Sequence, residues 1–269
     1  MIRLATQDKP FYSSDFKTKL LQIKETGFDG FEADGAMLLN QFDELKAAVK
    51  ETGVPVTSVC GGYRGWIGDF IEYRRQTAIE DIKIILERAG ELGAKGIVVP
   101  AAWGMFSLRL PPMTPPRPVE ADKGVLIDSL SQFEDVCKKS GTVVYLEPLN
   151  RYEDHMLNTL DAAATVIQDG HLEHVKIMAD FFHMSIEEQD IKKSLIKWAD
   201  LIGHVHIADS HRYQPGDGHT DFVHGFEGLK EIGFDGIMAF ECRVLGEDQE
   251  NLYKQSVGYI RDCMKKARL

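Results

Sequence analysis

Tyr145-Leu-Glu-Pro-Leu-Asn-Arg-Tyr-Glu153 is the stretch that indicates the fold most directly. It starts inside an apolar run, 143–146, which ends abruptly in the carboxylate of Glu147 and is followed by Pro148 and polar residues. A strand that delivers an acid at its carboxyl end and then breaks into a polar loop is typical of (β/α)₈ barrels, which place their reactive groups there. We therefore expect other strands to deliver further groups to the same end.

One local pattern recurs along the chain. A helical segment ends in a glycine, and a β-branched or aromatic run follows within a few residues; the glycines are Gly27, Gly53, Gly93, Gly141 and Gly233. Glycine adopts the left-handed conformation that commonly ends a helix, so each of these positions predicts a helix end and then a strand. The repetition predicts alternating strands and helices.

Eight strands are predicted, at about 2–6, 30–34, 56–60, 96–100, 142–147, 175–180, 202–208 and 237–242. The segments between them have helical periodicity, as in Ile79, Ile82, Leu86 and Ala89, and again in Leu126, Leu130, Phe133 and Val136. An open doubly wound sheet would need a glycine-rich phosphate loop after its first strand, and the segment 6–11 is not one. We predict a closed (β/α)₈ TIM barrel, formed as a single domain over residues 1–269.

Composition agrees with a barrel and excludes some partners. With 269 residues, of which 43% are hydrophobic and 27% charged, the chain is long enough for one such core. Its net charge of −11 argues against nucleic acid as a partner. Its 4 cysteines form no Cys-x-x-Cys pair, which is typical of reduced thiols in the cytosol. No segment approaches the ~20 apolar residues that span a bilayer, so we expect a cytoplasmic protein.

Two long connections interrupt the short loops, at 60–69 and 101–118. Both follow strands at the end where substrate would enter, so we expect lids or binding walls. The proline-rich part of the second could equally be a stiff surface spacer or a subunit contact. The aromatic and basic side chains of these loops could line a pocket or cap the helix layer; they are Tyr63, Arg64, Trp66 and Trp103.

Four consecutive strands are predicted to deliver metal-binding side chains to one end of the barrel. Glu147 ends the fifth strand, Asp180 the sixth and Glu241 the eighth. The seventh carries His204 and His206, which lie two residues apart and therefore on one face. Any one of these acids alone would be read as a helix cap or an ion-pair partner, but four on adjacent strands predict a common site.

Three carboxylates and one imidazole suit a hard to borderline divalent ion, with Mn²⁺ preferred and Mg²⁺ or Co²⁺ possible. Without a cation or a bound proton, carboxylates that converge in this way would repel one another. All 9 histidines lie in the second half of the chain, starting at His155. A multinuclear zinc site on this fold would need imidazoles from the early strands too, so we predict one metal ion.

These motifs resemble those of a known family. Glu147-Pro-Leu-Asn-Arg-Tyr-Glu153, Asp180-Phe-Phe-His183, Gly203-His-Val-His206 with Arg212, and Glu241 are similar to the ketose 3-epimerases of the D-tagatose 3-epimerase type. Those enzymes belong to the sugar phosphate isomerase/epimerase superfamily of xylose isomerase-like barrels. The match covers residues 142–241 well, and the rest of the chain only in its alternation of strands and helices.

The resemblance implies a role for each matching residue. It implies a Mn²⁺-like ion on Glu147, Asp180, His206 and Glu241. Glu147 and Glu241 would also be the two proton-transfer groups. The substrate contacts would be Glu153, His183 and Arg212, to which we add Trp103 from the long loop. Two plainer alternatives stay open here: Arg212 as a surface ion pair and His183 as a helix cap.

The predicted reaction is inversion of C3 of a ketose through an enediolate stabilised by the metal ion, with one carboxylate on each face. The nearest alternative is an aldose–ketose or hydroxypyruvate-type isomerase, which needs only one base. A DNA-repair endonuclease is disfavoured by the charge of −11, and a sugar-binding barrel without catalysis is the remaining alternative.

The substrate is expected to be a small sugar or a sugar phosphate. A phosphate group could be received by arginines of the long loops, namely Arg64, Arg109 and Arg117. A homodimer or homotetramer is expected because closed symmetric assemblies are common.

Overall fold

The computed structural model describes residues 3–104 and 116–269. The strands there are β1 (Arg3–Thr6), β2 (Gly30–Asp34), β3 (Val56–Cys60), β4 (Gly96–Pro100), β5 (Val143–Glu147), β6 (Val175–Asp180), β7 (Ile202–Ile207) and β8 (Ile237–Phe240). The helices are α1 (Phe16–Thr26), α2 (Gly35–Asn40), α3 (Phe42–Thr52), α4 (Glu72–Leu92), α5 (Val119–Ser131), α6 (Glu134–Ser140), α7 (Leu160–Asp169), α8 (Phe181–Glu187), α9 (Ile191–Lys197), α10 (Phe222–Glu231) and α11 (Gln249–Ala267).

The strands close into a ring. Each strand pairs in parallel with the next one along the chain, and β8 pairs back onto β1 from Arg3 opposite Ile237 to Thr6 opposite Phe240. Helices connect consecutive strands. The predicted (β/α)₈ barrel is confirmed, and all eight strands end on the same side because they run in the same direction.

Strand boundaries differ from the prediction by one or two residues at a few ends. The predicted strand at 237–242 is too long, because β8 ends at Phe240 and Glu241 begins the loop. The Glu241 N–H still donates to the carbonyl of Ile207, at 3.1 Å, so this residue stays tied to the end of β7. The predictions at 142–147 and 202–208 each extend one residue beyond the strand.

The glycines that were expected to end helices do so. All five have positive φ angles, between +66° and +104°. At Gly27, for example, the backbone N–H returns to the carbonyls of Ile23 and Lys24 and satisfies the last turn of α1. The repeated helix–glycine–strand pattern was therefore correctly interpreted.

The core lies between the ring of strands and the ring of helices. In α4 the four periodic residues, Ile79 to Ala89, are all buried. The second periodic run is split, because α5 ends at Ser131 and α6 begins at Glu134. In the part of the chain that the structure describes, no helix is both long and apolar enough to cross a membrane.

A small apolar cluster lies inside the barrel, below the carboxyl ends of the strands. It consists of Val98, Tyr145 and Met178, from three neighbouring strands. Tyr145 precedes Glu147 by two residues, and Met178 precedes Asp180 by two, so each apolar side chain points to the same side of its strand as the acid above it. The acids thus stand on a packed layer, as expected inside a filled barrel.

Candidate metal and substrate site

The structure brings the four proposed ligands together. One ligand atom each from Glu147, Asp180, His206 and Glu241 lies within 4.8 Å of the others. The first three residues are at most 4% exposed, and the Glu241 side chain is 23% exposed. Because the strands are parallel and neighbouring, their carboxyl ends can bring distant parts of the sequence this close.

The donor set fits a divalent cation. Glu147 Oε1 is buried and has no hydrogen-bond partner among the described residues. It lies 4.0 Å from Nδ1 of His206, which in turn lies 2.8 Å from Oε2 of Glu241. An unpartnered buried carboxylate oxygen is costly in a protein interior, and a cation among these atoms would provide its missing partner.

The protein already places one positive charge at this site. The Arg212 guanidinium donates to both Asp180 Oδ2 and Glu241 Oε2. Its Cζ lies over the Phe182 ring, 4.8 Å from the centroid. Arg212 is therefore not the surface ion pair of the plainer alternative. Burial, and then the charge of Glu241, raise the pKa of Glu147 well above its usual range.

Arg212 is held by an organised loop after β7. Its φ angle is +65°, a left-handed conformation that is uncommon for arginine. The carboxylate of Asp209 accepts the backbone N–H groups of Ser210, Gly216 and Thr220 at 2.8–3.0 Å. A Cβ at Gly218 would lie 2.2 Å from Oδ1 of Asp209, so this close approach requires glycine. The loop is built to present the guanidinium.

His183 points a donor into the site. Its Nδ1 accepts the backbone N–H of Asn150 at 3.0 Å, so the ring proton sits on Nε2. That Nε2 lies 3.8 Å from Glu147 Oε1 and 3.7 Å from Asp180 Oδ2. The cap of α8 is Asp180, which accepts the N–H of Phe182 at 2.7 Å. His183 is therefore not the helix cap and remains available to a substrate.

Glu153 and Trp103 form a contact of their own. The Trp103 indole N–H donates to Glu153 Oε2 at 2.9 Å, and the Asn150 amide donates to Oε1 at 2.8 Å. Trp103 is 54% exposed, and its hydrogen bond helps to orient Glu153. The segment 105–115 of this loop, with Arg109, lies outside the described residues.

The loop at 60–69 forms a wall of the site. A cavity of about 260 Å³ beside the ligands is lined in part by Gln7, Asp8, Asp34, Cys60 and Glu241. No lysine or arginine is among its lining residues in the described part of the chain. A larger cavity, of about 660 Å³, opens at the opposite end of the barrel, where strands begin, and is remote from the ligands.

Tyr63 lies in the same loop. The sequence left open whether its side chain lines a pocket or caps the helix layer. Its hydroxyl is buried and has no hydrogen-bond partner among the described residues. Burial, and then the nearby Cys60 and Glu147, raise the pKa of this phenol well above its usual range. Its ring packs edge-on against Trp66, with centroids 5.9 Å apart. The Tyr63 hydroxyl is therefore neutral, and it lies within electrostatic range of Glu147.

The arginines considered for a phosphate group are engaged elsewhere. Arg64 makes two hydrogen bonds to the carboxylate of Asp81, at 2.7 and 2.8 Å. Arg117 donates to Asp122 at 2.8 Å and to backbone carbonyls of Gly68 and Asp69. Both guanidinium groups thus already have carboxylate partners.

The sequence did not predict that Glu32 of β2 lies beside the proposed ligands. This residue is 1% exposed, and its carboxylate lies 2.8 Å from Nε2 of both His204 and His206. Burial alone would raise the pKa of Glu32, but the two imidazoles hold it below its usual range. The available signal was an acid in the middle of the apolar strand at 30–34.

Comparison with known proteins agrees with this architecture. The xylose isomerase-like TIM barrel family matches residues 20–263. A 3-dehydro-D-guloside 4-epimerase of Escherichia coli is 52% identical, over 97% of this chain and 100% of that protein. The apo crystal structure of 3-keto-D-glucoside 4-epimerase from E. coli has a TM-score of 0.95 at 52% identity, and the match covers 98% of this chain and 100% of that one.

A more distant relative is a ketose epimerase. The D-psicose 3-epimerase of Enterocloster bolteae is 28% identical, over 86% of this chain and 78% of its own. Epimerases are isomerases, so the prediction of an isomerase is confirmed. The strand order, the matched residues and these relatives lead to one conclusion: the chain belongs to the xylose isomerase-like TIM barrel family.

Proposed function

We propose that this protein is a divalent-metal-dependent sugar epimerase that inverts a hydroxyl-bearing carbon next to a ketone. The observation that carries the proposal is the position of two carboxylates, Glu147 and Glu241, within one ligand set. They come from β5 and from the loop after β8, three strands apart on the ring, so they approach the site from different sides. Inversion needs proton removal from one face and return from the other.

Different residues would have different roles in this reaction. A Mn²⁺ ion bound by Glu147, Asp180, His206 and Glu241 would polarise the ketone and stabilise the negative charge that develops on its oxygen. Glu147 and Glu241 would remove the proton on one face and supply it on the other. The His183 Nε2–H and the Arg212 guanidinium would hold the oxygens beside the reacting carbon.

The first candidate substrate is a 3-keto-glycoside, with inversion at C4. The support is the relative that is 52% identical over its whole length and the structure with a TM-score of 0.95. In that sugar C4 is adjacent to the C3 ketone. The chemistry is therefore the same as at C3 of a 2-ketose, and the same ligand set serves both.

The second candidate is a free ketose, with inversion at C3. It is favoured by the motif from Glu147 to Glu153 together with His183 and Arg212, which resembles the ketose 3-epimerases, and by the relative from E. bolteae. The two candidates differ in what lies beyond the reacting carbons: a short chain of hydroxyls in the ketose, and a glycosidic substituent in the glycoside.

We propose further that the substrate carries no phosphate. The cavity beside the ligands is bordered by Asp8, Asp34 and Glu241, whose charges would repel a dianion. Arg64 and Arg117 have carboxylate partners. Carboxylates and the Gln7 amide can instead hydrogen-bond the hydroxyls of a neutral sugar.

NMR in D₂O tests the proposal. The Mn²⁺-loaded protein is incubated with a 3-keto-D-glucoside, with D-psicose and with phosphorylated ketoses, and each product is read after the metal is removed. We expect deuterium at C4 of both epimers of the 3-keto-glycoside. Deuterium at C3 of the ketose, with faster turnover, would favour the second candidate. Label only at C1 of the ketose would indicate an aldose–ketose isomerase and refute the proposal.

A further inference from the structure

Glu32 is a charged residue in the interior of the barrel that the proposed chemistry does not use. Four groups donate to its carboxylate. His206 Nε2 and Gln7 Nε2 reach Oε1 at 2.8 and 3.1 Å. His204 Nε2 and Ser58 Oγ reach Oε2 at 2.8 and 2.7 Å. Four donors satisfy the lone pairs of an ionised carboxylate.

This arrangement favours a hydrogen-bonded support over a second ion site. Glu32, His204 and His206 do lie close enough to hold a metal ion. However, an ion between them would have to displace the two ring protons that the 2.8 Å contacts require, because an ionised carboxylate only accepts. Ser58 and Gln7 donate to the same oxygens, which already compensates the buried charge.

The position of the proton on His206 has a consequence for the ligand set. With its proton on Nε2, the neutral ring has its lone pair on Nδ1. That Nδ1 faces Glu241 Oε2 at 2.8 Å and Glu147 Oε1 at 4.0 Å. Either a proton or a cation must lie between a nitrogen lone pair and a carboxylate oxygen at 2.8 Å.

We propose that Glu32 is a positioning residue, which fixes the tautomer and the ring orientation of His206 so that Nδ1 is the nitrogen offered to the divalent ion. This inference rests on the metal centre of the proposed function, and not on the identity of the sugar. Ligand histidines commonly donate their other N–H to a carboxylate, and the loss of such a partner weakens metal binding by about 10- to 100-fold.

Glu32→Gln tests the proposal with little change of shape. A glutamine has one accepting oxygen, one donating amino group and no charge. If the amino group faces His206, the ring must accept at Nε2 and turn an N–H towards the ion. If the oxygen faces His206, the tautomer survives, but the negative charge that strengthens the imidazole as a ligand is lost. Both orientations of the new amide group therefore weaken the binding of the metal ion.

The measurement is Mn²⁺ titration of the metal-free protein, followed by the electron paramagnetic resonance signal of free Mn²⁺. We expect the Kd to rise about 10- to 100-fold in Glu32→Gln, and saturating Mn²⁺ to restore most of the turnover, since four protein donors already occupy the Glu32 carboxylate. Ser58→Ala is the matched control: it removes one bond to the same carboxylate on the His204 side and keeps the charge. Its Kd should stay within about threefold of wild type.

A folded Glu32→Gln protein, with unchanged circular dichroism and a Kd within about threefold of wild type, overturns the inference. Full loss of turnover at saturating Mn²⁺ also overturns it, because a positioning role predicts recovery. A wild-type protein that does not bind Mn²⁺ overturns both this inference and the metal centre. Epimerase assays on the wild type test the proposed sugar chemistry separately.

A second measurement, on the wild-type protein, tests the role of Glu32 even if Glu32→Gln does not fold. With ¹⁵N-labelled histidine and bound ¹¹³Cd²⁺, NMR shows which ring nitrogen couples to the metal and which carries a proton. We expect one-bond cadmium coupling to Nδ1 of His206 and a proton on Nε2. Coupling to Nε2, or an Nε2 without its proton, contradicts the proposal.

Discussion

The two-base mechanism makes a sharp prediction for Glu147→Gln and Glu241→Gln. Each change removes one proton acceptor and keeps the size of the side chain. General acid–base catalysis contributes about 10²- to 10⁴-fold, which corresponds to roughly 3–5 kcal/mol of transition-state stabilisation. We therefore expect epimerisation by either variant, at saturating Mn²⁺, to fall by at least about 100-fold.

The two variants should differ in stability, because the structure gives the two acids different partners. Glu147 Oε1 has no hydrogen-bond partner among the described residues, so Glu147→Gln breaks few interactions. Glu241 binds His206 at 2.8 Å and also pairs with Arg212. Glu241→Gln should therefore cost the folded protein roughly 1–3 kcal/mol, read from urea unfolding.

Solvent exchange distinguishes two bases from one. A variant that keeps one carboxylate can still remove a proton from one face and return deuterium to that same face. Each variant should therefore exchange the reacting proton of one epimer without inverting it, and the two variants should act on opposite epimers. NMR in D₂O reads this directly, with Mn²⁺ occupancy checked in both proteins.

Two results would refute this reasoning. If both variants label the same epimer, the two carboxylates do not serve opposite faces. If either variant retains more than about a tenth of the wild-type turnover, that carboxylate is not an essential proton-transfer group.

Three further predictions concern the metal centre, a buried acid and the Arg212 loop. Mn²⁺ at about 100 times its Kd should stabilise the protein by roughly 2.7 kcal/mol and raise the Tm by about 5–10 °C; an equal rise in Asp180→Asn would contradict the site. Burial raises the pKa of Asp154 to about 6 from its usual 3.8. Its protonated form thus favours the folded state, and the free energy of unfolding of wild type relative to Asp154→Asn should fall by roughly 3 kcal/mol as the pH rises from 3.8 through 6. If urea unfolding showed that the difference in the free energy of unfolding between wild type and Asp154→Asn does not change with pH, this prediction would be wrong. Asp209→Ala leaves three backbone N–H groups without their acceptor and should raise KM at least about tenfold by displacing Arg212; an unchanged KM would show that the loop holds its shape without Asp209.

The sequence by itself determined the fold and the positions of the four proposed metal ligands. Glycine at helix ends and apolar runs between them are local signals, and they placed the strands to within a residue or two. Parallel strands in a closed ring must end on one side. Acids at the ends of three strands, and His206 near the end of a fourth, could therefore be predicted to converge before any distance was known.

Only the tertiary structure decided which other groups join them. Glu32 lies in an early strand, more than 170 residues from His206, and no local signal distinguishes it from an ordinary buried acid. The ion pairs of Arg212 depend on the left-handed backbone conformation of Arg212 itself. They also depend on the surrounding loop, whose backbone N–H groups donate to Asp209. Contacts between distant segments follow from the closure of the ring and the path of the loops, which sequence periodicity does not describe.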